Sequence, residues 1–183
     1  AAATLWVAGL TAIQAQLIIS EVHPTGSSAT TTYGADWFEL YNAGPATLDL
    51  TGWKVDDNSA AFAAAVALRG VTSLAPGQAA VFMESDAVGA NDVTKGAAFL
   101  AAWFGASAPA GFNLGFYGGS GIGLGSGGDA VNMYDGSGTL LAGVSFGAAT
   151  TGVTFDNAAG LSGVISQLSS VGVNQAFLSQ AGA

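Results

Sequence analysis

The run from Asp36 to Val55 limits the fold of this chain more than any other stretch. It reads Asp36-Trp37-Phe38-Glu39-Leu40-Tyr41-Asn42, then a polar turn with Gly44 and Pro45, then Leu48-Asp49-Leu50-Thr51-Gly52-Trp53-Lys54-Val55. Two short alternating segments joined by turn residues form a β-hairpin signal. On its first strand Phe38 and Leu40 are expected to face a core, and Trp37, Glu39 and Tyr41 the other side. The rhythm recurs along the chain, with strands expected at 16–22, 48–57, 66–71, 78–84, 113–117, 129–134 and 139–146, and further ones around Val164–Leu168 and Val171–Leu178. Pro76-Gly77 reads as a type II turn, with proline presetting φ and glycine supplying a positive φ. Asp135-Gly136-Ser137-Gly138 closes a second hairpin.

One segment breaks this period. From Asn91 or Asp92 to Phe104, the residues Phe99, Leu100, Trp103 and Phe104 share a helical face, predicting a short helix that closes an end of the sandwich. The glycine-rich stretch Gly118–Gly128 reads as a turning loop. It lacks the parallel strand, following helix and lysine of a phosphate cradle. Residues 147–183 are a Gly/Ala/Ser-rich extension.

Half of the 183 residues are hydrophobic, enough for a full core in one domain. Only 8% are charged, with twelve acids against Lys54, Arg69 and Lys95, for a net charge of −9. Three cations cannot neutralise a phosphate backbone, so nucleic acid and anionic membrane surfaces are excluded as partners. The absence of cysteine rules out disulfides and thiolate metal sites. Weak mutual repulsion favours association between copies.

Residues 1–15 form an apolar arm. They read as the end of a secretory signal or as a strand, and they are too short for a confident membrane span. Leu5, Val7 and Ile13 alternate in phase with Leu17 and Ile19. As a strand the arm serves its own sheet or is donated to a neighbouring copy, with Leu5, Val7, Leu10 and Ile13 as self-association residues. Residues 16–183 are then the sandwich and its extension.

Five ordered elements resemble the lamin tail domain. They are Ile18-Ile19-Ser20-Glu21-Val22, Asp36–Asn42, Asp49–Trp53, Leu74-Ala75-Pro76-Gly77, and Gly128-Asp129-Ala130-Val131-Asn132-Met133-Tyr134-Asp135-Gly136-Ser137-Gly138. Thr154–Asn157 and Val171–Phe177 are similar to the closing segment of secreted bacterial members. The resemblance implies an all-β, immunoglobulin-like β-sandwich of lamin-tail type, extracellular or at a bacterial cell surface. No coiled-coil rod accompanies it, so the nuclear role of lamins does not transfer. Trp53 is expected to fill the space between sheets, and Asn42, Asp49 and Asp129 to bond free backbone amides beside turns.

The chemistry is sparse. His23, the only histidine, sits beside Pro24 and reads as an exposed loop residue without triad or metal partners. No Gly-x-Ser-x-Gly elbow lies between a strand and a helix. Loop carboxylates at Asp56, Asp57 and Asp86 are calcium candidates, since calcium takes six to eight oxygens; no other cofactor is expected. The expectation is therefore a non-enzymatic extracellular structural protein that self-associates, as a filament subunit linked by strand donation. The alternative is a surface binding or targeting module that recognises glycan or a protein partner through exposed Trp37 and Tyr41.

Overall fold

The computed structural model describes residues 17–27, 31–119, 122–156 and 167–168. Its elements in chain order are β1 (Leu17–His23), β2 (Trp37–Asn42), β3 (Leu48–Asp49), β4 (Lys54–Asp56), β5 (Val66–Ala67), β6 (Ser73–Leu74), β7 (Ala79–Ser85), α1 (Asp92–Phe104), β8 (Leu114–Gly118), β9 (Asp129–Tyr134), β10 (Leu140–Phe146), β11 (Phe155–Asp156) and β12 (Gln167–Leu168). A six-stranded sheet has the order β12-β11-β1-β2-β7-β8, and a four-stranded sheet the order β10-β9-β4-β5. β3 and β6 pair separately.

The two larger sheets enclose one core. Ile19, Phe38, Leu40 and Phe82 from the first meet Val55, Val131, Met133 and Val144 from the second. Trp53 lies in this core, as its position after Gly52 implied. Ile122 and Leu124 anchor the glycine-rich loop in the same core. Gly77 takes the positive φ expected of it, at 75°.

The polar turn residues hold the connections between strands. The Asn42 side chain donates to Ala46 O and Leu74 O and accepts from Gly44 N. Asp49 accepts from Thr51 N. Asp129 accepts from Asn58 N, Gly125 N and Ala130 N, tying the loops at Asn58 and Gly125 to the start of β9.

Three expectations need correction. The hairpin expected over 36–55 does not form: β2 pairs with β1 and β7 in the six-stranded sheet, while β3 pairs with β6 and β4 with β5 and β9, so the turn after Asn42 leads out of the sheet. The strand expected at 66–71 is only two residues long, because Gly70 turns the chain at φ 89° and Arg69 bridges to Phe116 instead. The helix does not close an end of the sandwich. β7 and β8 are parallel, so the chain between them must cross over, and α1 makes that crossover on the outer face of the six-stranded sheet. There Phe99 and Ala102 are buried with Trp37, Val81, Met83 and Phe116 in a second apolar cluster. No described helix is long and apolar enough to cross a membrane.

Candidate functional site

The outer face of the six-stranded sheet carries most of the residues expected to bind a partner, and α1 covers part of it. Alternation sends Phe38 and Leu40 inward and Trp37 outward, as expected. The outward position is not exposed, however. Trp37 is 3% accessible and sits edge-on against Phe99 and Trp103 of α1, at centroid distances of 5.9 and 5.7 Å. The expectation of Trp37 as an exposed binding aromatic is thus corrected, because a helix packs over the face that carries it.

His23 is corrected in the same way. It ends β1, is 1% accessible, and stands 5.5 Å from the Trp37 ring. A continuous hydrogen-bond chain satisfies the group. Trp37 Nε1 donates to Tyr33 Oη at 3.3 Å, Tyr33 Oη lies 3.2 Å from His23 Nδ1, and Thr25 Oγ1 lies 3.2 Å from His23 Nε2. One tautomer satisfies every member: Tyr33 donates to Nδ1, and Nε2–H donates to Thr25. Burial lowers the His23 pKa to about 4 and pushes the Tyr33 hydroxyl up to about 12. Both are held neutral, so the chain is a structural lock without access to a substrate.

Tyr41 lies past the end of the helix cover and is half-buried. It pairs with Ala79, which lines an open cleft of about 240 Å3 together with Glu39, Gln78, Val81, Phe112 and Asn113. The cleft mixes apolar lining (Ala79, Val81, Phe112) with polar lining (Glu39, Gln78, Asn113). Glu39 accepts from Ser20 Oγ at 2.6 Å there.

The structure does not bring the three calcium candidates together. Asp56 is fully buried, and its Oδ2 accepts from Ser59 Oγ at 2.7 Å and Ala61 N at 2.6 Å. Asp57 accepts from Ser59 N. Asp86 accepts from Val88 N, Ala90 N and Asn91 N, and these amides, Asn91 first, lower its pKa to about 2. Each carboxylate is used by its own turn, and among the described residues no group of three or more acids or histidines is placed to hold a metal.

A polar end of the sandwich was not anticipated. Asp36, just before β2, lies beside Glu84 of β7, and burial raises the pKa of both, with repulsion from Asp36 adding to Glu84. The Glu84 carboxylate occupies the space where a Cβ on Gly119 would stand, 1.9 Å from its Oε1. The Tyr117 hydroxyl is buried without a hydrogen-bond partner among the described residues, and burial, then Glu84, pushes its pKa well above the ordinary value. The sequence signal was present but weak: a strand-end acid followed, a strand later, by a glycine run.

The last feature is an edge. β10 ends its sheet, and on its far side no described strand pairs with it. Leu5, Val7, Leu10 and Ile13 lie outside the described residues.

A family model described as Lamin Tail Domain matches residues 11–148 of the chain. No curated protein matches it.

Proposed function

Because the chain belongs to the lamin tail domain family, a non-catalytic domain, we propose that it is a non-enzymatic, extracellular structural protein of a bacterial surface. In this reading copies associate through residues 1–15 into a filament linked by strand donation. The supporting observation is one of phase. Leu17 and Ile19 face the core at 4% and 1% accessibility, and Leu5, Val7 and Ile13 continue their alternation toward the front of the chain. A strand of that pattern needs an apolar surface on one side and a backbone partner along its edge. The low charge of the chain and the absence of cysteine fit a surface location that needs no oxidative folding.

The test uses the full chain with Leu5→Asp, Val7→Asp and Leu10→Asp together. Ile13 is left unchanged because the family match begins at residue 11. Sedimentation velocity and electron micrographs of the parent should show assemblies or fibres. The triple variant should sediment as a folded monomer with the parent's melting temperature. An unchanged size distribution would end this reading.

The cleft beside Tyr41 favours a second reading, a glycan-binding surface module. Its apolar lining offers a face for a sugar ring, and Glu39, Gln78 and Asn113 offer polar groups. Loss of glycan-array signal in Tyr41→Ala and Glu39→Ala, with assembly intact, would support it; an array without signal for the parent would remove it.

A further inference from the structure

The cleft beside Tyr41 has a single charged side chain in its lining, Glu39, and no cation. Glu39 of β2 is half-buried and has Glu21 of β1 as its register partner. The next pair along the two strands, Val22 and Phe38, lies in the core, so the two glutamates share the outer face of the six-stranded sheet. Like charges placed directly opposite each other repel. Two hydroxyls approach them: Ser20 Oγ donates to Glu39 Oε1 and Thr154 Oγ1 donates to Glu21 Oε1. A hydroxyl supplies a hydrogen but no positive charge. The three cations of the chain are engaged elsewhere, Arg69 with Asp92, Lys95 with Gly34 O and Lys54 over the Phe62 ring. The glutamate pair therefore has no lysine or arginine of its own to offset it.

Two amides in the same lining have their atoms assigned by the contacts they already make. Gln78 Oε1 accepts from Ala75 N at 2.9 Å, so its NH2 is the group left for a ligand, as a donor. Asn113 Nδ2 donates to Ala79 O at 2.9 Å, so its Oδ1 is left as an acceptor. Val81 and Phe112 add apolar lining. Phe112 is set in place by α1, with its ring 6.2 Å from that of Phe99 and 5.1 Å from that of Phe104. The cleft thus combines a carboxylate, a neutral donor, a neutral acceptor and an apolar face.

From this we infer that the cleft takes an amino sugar with a free, protonated amine, as one unit of a short glycan. The inference rests on the second reading above, in which the cleft binds glycan, and names the class of sugar. Charge complementarity selects that class. The ammonium meets Glu39 and relieves its repulsion with Glu21. The Gln78 NH2 donates to a sugar oxygen, Asn113 Oδ1 accepts from a hydroxyl, and the C–H face of the ring covers Val81 and Phe112. A neutral sugar serves the amides but leaves the glutamate pair uncompensated, and an N-acetylated sugar has lost the charge. A lysine side chain supplies the charge but brings no hydroxyl for the amides.

The test is calorimetric titration of the full chain with a β-linked glucosamine trimer, its N-acetylated counterpart, a glucose trimer and trilysine, at about pH 6 and about 50 mM salt so that screening is weak. A charge-assisted hydrogen bond is roughly twice as strong as a neutral one, so the glucosamine trimer should bind at least about tenfold more tightly than each of the others. Glu39→Gln keeps an oxygen for Ser20 Oγ and should remove that advantage with the melting temperature unchanged. Asp49→Asn takes the same charge from an exposed turn outside the cleft and should leave every affinity as it was. Equal losses in the two variants would mean that net charge alone attracts the trimer, and would overturn the inference. Equal binding of the amine and acetylated trimers, lost in Tyr41→Ala, overturns the amino-sugar assignment and leaves the glycan cleft standing. Trilysine bound as tightly as the glucosamine trimer overturns it in favour of a basic peptide. No binding of any of the three sugars removes the glycan reading with it.

Discussion

At the scale of single residues, burial has taken the side chains that looked most available for chemistry and made them part of the scaffold. His23 is the clearest case. Its imidazole is held neutral by burial, with a pKa near 4 against an ordinary 6.5. The unfolded chain therefore binds a proton that the folded one refuses between those two values. Stability from this group is complete above pH 6.5 and is lost as pH falls toward 4, by about 3 kcal/mol at most. Asp36 and Glu84, with raised pKa values, act in the opposite direction, so the effect must be read as a difference. Urea unfolding of the parent and of His23→Gln at pH 7 and pH 4.5 should show the parent losing more stability than the variant. Equal losses would mean that the imidazole is already hydrated in the fold. Gly119 gives a second residue-level prediction. A methyl there stands 1.9 Å from Glu84 Oε1 and 2.2 Å from its Cγ, so the whole carboxylate must leave a half-buried site. Gly119→Ala should cost about 1–3 kcal/mol. Adding Glu84→Ala should recover part of that loss, and simple additivity in the double variant would show that the two positions do not compete.

At the scale of elements, what was legible in the sequence was whatever local pattern and turn chemistry decide. The period-two runs of β2, β7, β9 and β10 and the turns at Pro76-Gly77 and Asp135–Gly138 followed from alternation and from residues suited to positive φ. The apolar face of α1 followed from its helical spacing. Its place did not, because the parallel pairing of β7 with β8 is a tertiary fact that no local pattern carries. That placement also hid Trp37 and, through Tyr33, His23. The loop before α1 offers an element-scale test. Asp86 accepts three amide hydrogens, and Arg69 clamps Asp92 through Nε and Nη2 at 2.7 and 2.9 Å while Nη2 also donates to Asp86 O. Together they hold the loop that displays Val88 at 87% accessibility and the first turn of α1, with Val93 at 85%. Asp86→Ala should speed hydrogen exchange at Val88, Ala90 and Asn91 while leaving β1 and β2 protected. Unchanged exchange at those three amides would show that Arg69 alone holds the loop.

At the scale of the whole molecule, the charge balance sets how copies meet. The chain carries −9, and its three cations are all engaged: Arg69 with Asp92, Lys95 with Gly34 O, and Lys54 over the Phe62 ring. No basic patch is left to attract an acidic neighbour, so copies repel weakly at long range. The surface proposed to join copies, the uncharged arm, attracts through burial and ladder bonds that salt does not screen. Screening over about 10 Å at 0.1 M removes the repulsion and leaves the attraction. Assembly followed by light scattering should therefore begin at a lower protein concentration in about 300 mM salt than in about 20 mM, by several-fold. The opposite trend, with salt dissolving the assemblies, would mean that opposite charges hold the copies together. The contact would then lie on a surface other than the uncharged arm, and the strand-donated filament would have no physical basis.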